Sequence, residues 1–133
     1  MALAPQFINV PNLGLTKFTN GDGTSTKTIF TAGANGSRIL SMCVTSNDLS
    51  SRQVQLAIVR GGVSYKLSAP TIPAAAAETP VVNLNLLDPS WFGWLDANEP
   101  HLMVPAGVTF EVTPLVAVSS GKEISVMVFA GDY

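Results

Sequence analysis

Residues 53–69 read QVQLAIVRGGVSYKLSA. Two strand-like runs flank Gly61 and Gly62, and a two-residue loop of this kind needs positive φ, which glycine adopts without steric cost. The stretch predicts a tight β-hairpin whose register follows from side-chain chemistry. With Arg60 opposite Val63, Ile58 opposes Tyr65 and Leu56 opposes Leu67. Together with Val54 these residues make one apolar face, because side chains alternate along a strand. The other face pairs Val59 with Ser64, Ala57 with Lys66 and Gln55 with Ser68, and is mixed. A slip of one residue would exchange the faces, so the pattern specifies the pairing. The consequence is a half-buried antiparallel sheet.

The flanking sequence repeats the motif. Upstream, Arg38–Thr45 alternates, with Leu40, Met42 and Val44 on one face and Ser41, Cys43 and Thr45 on the other. Before it, TSTKTIFT at 24–31 is rich in β-branched residues, which favour strands. It ends in a turn at Asn35-Gly36, where the formal glycosylation sequon continues into Ser37. Residues 1–23 are punctuated by Pro5 and Pro11 and close on the turn cluster Asn20-Gly21-Asp22-Gly23. They read as an N-terminal arm or edge strand, with Phe7, Ile8 and Val10 free to pack on a neighbour.

Downstream, PTIPAAAAETP at 70–80 reads as a long ordered loop, because its prolines leave little room for the helix that alanine favours. Val81–Leu87 is a further strand. In DPSWFGWLDANEP, residues 88–100, Asp88 is placed to cap and Pro89 to open a short helical turn near 89–96. Val108, Phe110 and Val112 alternate with polar residues, as do Ile124, Val126 and Val128 with Ser125, Met127 and Phe129, and the two runs are expected to form a second hairpin. The sum is an all-β protein, a β-sandwich or jelly roll of about eight antiparallel strands, with 24–133 as its single domain.

Composition narrows the function. Hydrophobic residues make up 47% of the 133-residue chain and charged ones 12%, against about 25% charged in a typical soluble domain. So few charges on a small domain point to surface that faces other protein; an uncharged β-domain rich in Ser, Thr and Asn is the plainer alternative. A net charge of −2 argues against wrapping nucleic acid, which requires clustered cations. The charge is uneven. Residues 1–66 carry six bases and two acids, and 67–133 carry one base and seven acids. Such asymmetry can supply complementary subunit patches. MALAPQF has neither a basic region nor a long apolar stretch, so no secretory leader is expected. No apolar run reaches the roughly 18 residues of a membrane span.

Catalytic and metal chemistry find few candidates. His101 and Cys43 are each the single residue of their kind, which gives no usual zinc set. The Asn20–Gly23 cluster lacks the alternating acids of a calcium loop. His101 has no nucleophile signature beside it, and no phosphate-binding glycine motif occurs. No enzymatic activity, cofactor or metal is expected. Trp91, Phe92 and Trp94 place three of the ten aromatics within four residues. They suit a core plug, a protein-contact anchor or a sugar platform, the last with Asp88, Asp96 and Glu99 nearby. Helix capping and solvation account for those acids equally well.

In order, the GG hairpin, IPAAAAETP, VVNLNLLDPSWFGWL, HLMVPAGVTFEV and SSGKEISVMVFAGDY resemble the small all-β decoration, or cement, proteins of tailed bacteriophage capsids. The resemblance covers about 24–133. It implies a jelly roll made in the host cytoplasm that self-associates as a dimer or trimer. Such a protein sits on the capsid exterior, contacts the major capsid protein and stabilises the shell, with no role for membrane or nucleic acid. No functional residue carries over by motif. Phe7, Ile8, Val10, Trp91, Phe92 and Trp94 are contact candidates on their own chemistry. The alternative is a carbohydrate- or receptor-binding β-sandwich module of a phage tail or fibre.

Overall fold

The computed structural model of the chain describes residues 7–76 and 84–133. Ten strands are present among them: β1 Val10–Thr19, β2 Lys27–Thr31, β3 Ser37–Ser46, β4 Arg52–Arg60, β5 Val63–Ser68, β6 Thr71–Ile72, β7 Leu84–Asn85, β8 Leu102–Val104, β9 Val108–Pro114 and β10 Glu123–Asp132. They form two antiparallel sheets. One runs β1-β10-β3 and then β7, with β8 also paired to β3; the other runs β2-β9-β4-β5, with β6 also paired to β4.

The Gly61–Gly62 turn is the turning point of the whole chain. Both glycines have positive φ, +61° and +76°, as a primed two-residue turn demands. Strands before the turn pair with strands after it. β4 pairs with β5, β3 with β7 and β8, β2 with β9, and β1 with β10. A long antiparallel hairpin rolled so that successive pairs fall in alternate sheets is a jelly roll. The inward residues of both sheets meet in one core, with Phe18, Phe110, Ile39, Met42, Leu56 and Leu86 fully buried. Phe30 and Phe110 pack at 6.4 Å between ring centres with a 53° tilt, a favourable edge-inclined geometry.

Several expectations are corrected. The hairpin holds its predicted register from Arg60–Val63 to Ala57–Lys66, and then Leu56 pairs with Ser68 rather than Leu67. Leu67 is the extra residue of a bulge, a local insertion that alternation alone does not reveal. Val54 and Leu56 are buried as expected, while Val63 and Tyr65 are exposed because β5 is an outer strand. In β3, Ile39 pairs with Ala130 and Ser41 with Phe129. Leu40 is therefore bulged, and Ile39 takes the inward place that alternation assigned to Leu40. β9 and β10 are not a hairpin. They lie in opposite sheets, and residues 115–122 cross between them. Period-2 patterning reports a half-buried strand and is silent about its partner.

No helix forms at 89–96. The segment makes successive turns, with Trp91 and Phe92 amides donating to the Asp88 carbonyl and Leu95 to that of Phe92. The one helical turn among the described residues is the 3-10 turn Asn20–Asp22, where Thr19 and Asp22 bond reciprocally as a capping box. Residues 10–19 are an edge strand, paired along their full length with β10. Of the 70–80 loop, β6 joins β4, Ala75 donates to Asp48 O, and Ala76 is buried and accepts from Ser46 N. Residues 77–80 of that loop, and 81–83 of the strand expected at 81–87, lie outside the described residues.

The sandwich is closed along one side without a backbone ladder. β1 and β2 are the facing edges of the two sheets. Asn12 Nδ2 donates to Thr31 O, Thr16 Oγ1 to Thr28 O, and Lys27 Nζ to Lys17 O. The approach is so close that a Cβ on Gly14 would sit 2.0 Å from Ile29 O. The seam thus satisfies edge groups that would otherwise invite pairing with another chain.

Candidate interaction surface

Alternation along β1, β10 and β3 sends one set of side chains into the core and the other outward. The outward rows are set by the register. Leu13, Phe129 and Ser41 form one row, and Leu15, Met127 and Cys43 the next; Lys17, Ser125 and Thr45 complete the face. The bulge adds Leu40, and Met103 on β8 lies opposite Arg38. These are large apolar groups in water: Leu15 is 67% exposed and Met103 71%. Beside them runs an open groove of about 390 Å³ lined by Leu15, Lys17 and Met127 among others. Ile8 covers Gly131, where a Cβ would meet its side chain at 2.2 Å, so it extends the face toward the N-terminus.

The outer face of the second sheet has the opposite character. Thr109 pairs with Thr31 on one side and Val59 on the other, and Glu111 with Thr28 and Ala57. Ser64 Oγ donates to Glu111 Oε1 at 2.6 Å, and the Thr26 and Thr113 hydroxyls are hydrogen-bonded. One fold thus carries an outward face of Leu, Met and Phe and another largely of Thr, Ser and Glu. Solvation does not explain that difference, since both faces border water equally in a lone sandwich. Large exposed apolar patches are characteristic of contact surfaces.

The aromatic cluster is divided. Phe92 is buried in the core, Trp91 is half-buried against it, and Trp94 is 62% exposed. Trp94 leans on Phe92 at 5.5 Å and 58°. Phe92 is therefore core, and Trp94 is the exposed member of the cluster. Asp88 accepts from the hydroxyl and amide of Ser90, which hold its carboxyl below the usual range. These bonds close a local turn over Pro89 and Ser90, since no helix follows for Asp88 to cap. Phe7, Ile8 and Val10 are all exposed, and Asn9 N donates to Asp132 O, which ties this segment to β10.

Two polar groupings stand apart. At one end of the sandwich, a pocket of about 400 Å³ is lined by Arg38, Asp96, Glu99, His101 and Met103. Arg38 forms an ion pair with Glu99 and also contacts His101 Nδ1 at 2.8 Å. A guanidinium has no acceptor, so Nδ1 accepts and the histidine proton sits on Nε2. His101, which reads in sequence as an isolated surface residue, is part of this cluster.

The other grouping is buried and has no counterpart in the sequence reading. The Asp48 carboxylate accepts from Arg52 Nε, Ser119 N, Ser119 Oγ and Ser50 N, all at 2.9–3.0 Å. Arg52 also donates to Ser119 Oγ at 2.6 Å. Burial pushes the Asp48 carboxyl up, and the hydrogen bonds from Ser119, Ser50 and Arg52 overcome it, so the group stays ionised well below the usual carboxylate range. This network pins the β3–β4 turn to the crossing loop before β10. The four-residue spacing of Asp48 and Arg52 is a faint signal; Ser119, 71 residues on, gives none.

Among the described residues no three His, Cys, Asp or Glu side chains converge as a metal site, and no helix is long and apolar enough to cross a membrane. The geometry defines a jelly-roll sandwich with one apolar and one polar outer face. No protein-family model and no curated protein matches the chain.

Proposed function

We propose that the protein is a structural assembly subunit, a capsid decoration (cement) protein that binds the exterior of a tailed-phage shell. The observation that carries an assembly role is the contrast between the two outer faces, with Leu13, Leu15, Met127 and Phe129 outward on one and threonines on the other. The resemblance to decoration proteins supplies the partner, the major capsid protein, and the location on the virion. Many modest contacts repeated over a lattice stabilise it by mass action, and each bound copy bridges its neighbours. Trp94 and the Phe7–Val10 segment are further exposed contacts.

The test is co-sedimentation of purified protein with undecorated shells assembled from tailed-phage major capsid proteins. Saturable binding that raises the temperature of shell disruption is expected. Protein that stays in the supernatant at every ratio would refute the decoration role.

A further inference from the structure

We infer that the outer face of the β1-β10-β3 sheet docks against the same face of a second copy of this chain, about a two-fold axis parallel to the strands. The inference rests on the assembly reading above and names the occupant of its apolar face.

Three observations select a second copy. The first is relief. The large outward side chains Leu13, Leu15, Met127 and Phe129 stand on β1 and β10, while β3, beyond its bulged Leu40, presents the small Ser41, Cys43 and Thr45. Rotation about an axis parallel to the strands keeps each row at its height and reverses left and right. With the axis along β10, β1 of one copy lies over β3 of the other, so Leu15 approaches Cys43 and Leu13 approaches Ser41, while Met127 and Phe129 meet their own counterparts across the axis. An isologous interface requires this self-complementarity.

The second is charge. The charged groups on the face are already paired within the chain, Lys17 with Glu123 at 3.3 Å and Arg38 with Glu99. The face offers no unbalanced field to select an acidic or basic partner, and two copies meet on it without like-charge repulsion.

The third is size. Three ten-residue strands about 34 Å long, set side by side at about 4.8 Å, give the face an area on the order of 500 Å² before side-chain relief is counted. That is below the roughly 800 Å² per partner of a standard interface and corresponds to the small interfaces of weak pairs, which dissociate on dilution. The outer face of the other sheet has no such apolar rows among the described residues; its exposed Val63 and Tyr65 lie on the inner side of β5.

The experiment is sedimentation velocity across a dilution series of the whole chain, with Leu15→Glu, Phe129→Glu and the polar-face control Thr109→Glu. Far-UV circular dichroism confirms folding. Wild type and Thr109→Glu are expected to dimerise and to dissociate on dilution. Leu15→Glu and Phe129→Glu are expected to weaken the dimer by roughly tenfold or more, the effect of losing one interface anchor. A second readout uses the chain's single thiol: Cys43 lies on the face, and its reaction with a disulfide reagent should slow as the dimer fills. A wild-type monomer at all concentrations, or a dimer indifferent to both glutamates, overturns the inference.

Shell co-sedimentation of the same proteins separates the two readings. A monomer that binds shells and loses them on Leu15→Glu refutes the self-pairing and keeps the assembly role. A dimer that binds no shell upholds the self-pairing and removes the decoration role.

Discussion

Arg52 donates its Nε–H to Asp48 Oδ2 at 2.9 Å, and the Asp48 side chain is 1% exposed. Such a pair is strongly destabilising to break from one side, because the partner charge is left buried. Asp48→Ala is expected to cost about 3–5 kcal/mol, read as a lower urea midpoint. The pH dependence derives from the depressed carboxyl. Its contribution is present above the unfolded value of 3.8 and is lost as pH falls through the still lower folded value. Wild type should lose stability steeply below about pH 4, and Asp48→Asn should be less stable near neutrality but flatter in acid. Parallel acid profiles for the two proteins would show that other carboxylates control acid unfolding.

Gly14 is set apart by what surrounds it. Its missing Cβ would lie 2.0 Å from Ile29 O, a backbone atom. Gly14→Ala must push β1 away from β2, where only side chains bridge the edges, and is expected to cost about 1–3 kcal/mol, the range for overpacking. Gly131 looks equally crowded, but the obstacle there is the half-exposed side chain of Ile8. Ile8 and its short N-terminal segment can shift more readily than a strand backbone, so Gly131→Ala should cost less than Gly14→Ala, about 1 kcal/mol, the low end of the overpacking range. Chemical denaturation of both variants checks the order. Equal losses would mean that the seam yields as easily as a side chain.

The parts of the fold legible in sequence are those that single side chains report. The Gly61–Gly62 turn declares itself through φ, and Val54, Leu56, Met42, Val44, Phe110 and Val126 declare themselves through alternation. Bulges are hidden, because Ile29-Phe30 and Ile39-Leu40 are adjacent apolar pairs that fit either register. Partner choice is hidden too. β9 and β10 carry the pattern of a hairpin, yet each pairs with strands from the first half of the chain, Phe110 with Phe30 and Val128 with Met42. The apolar outer face is foreshadowed only by low charge, since locating it requires knowing that β1 and β10 are neighbours. The Asp48 network depends on a loop crossing between sheets, which no local pattern encodes.

Phe92 and Trp94 illustrate the same limit and permit a sharp test. They are two residues apart with similar chemistry, yet one is core and the other stands in solvent. Phe92→Ala empties a packed site and is expected to cost about 3–5 kcal/mol. Trp94→Ala forfeits its tilted contact with Phe92 and should cost about 1 kcal/mol or less. Binding should reverse the ranking in kind: Trp94→Ala leaves a folded protein whose shell affinity falls, if Trp94 is a lattice contact. Thermal unfolding and co-sedimentation, run on the same preparations, separate the two effects. Full shell binding by Trp94→Ala would remove it from the contact surface and leave the β1-β10-β3 face to carry assembly.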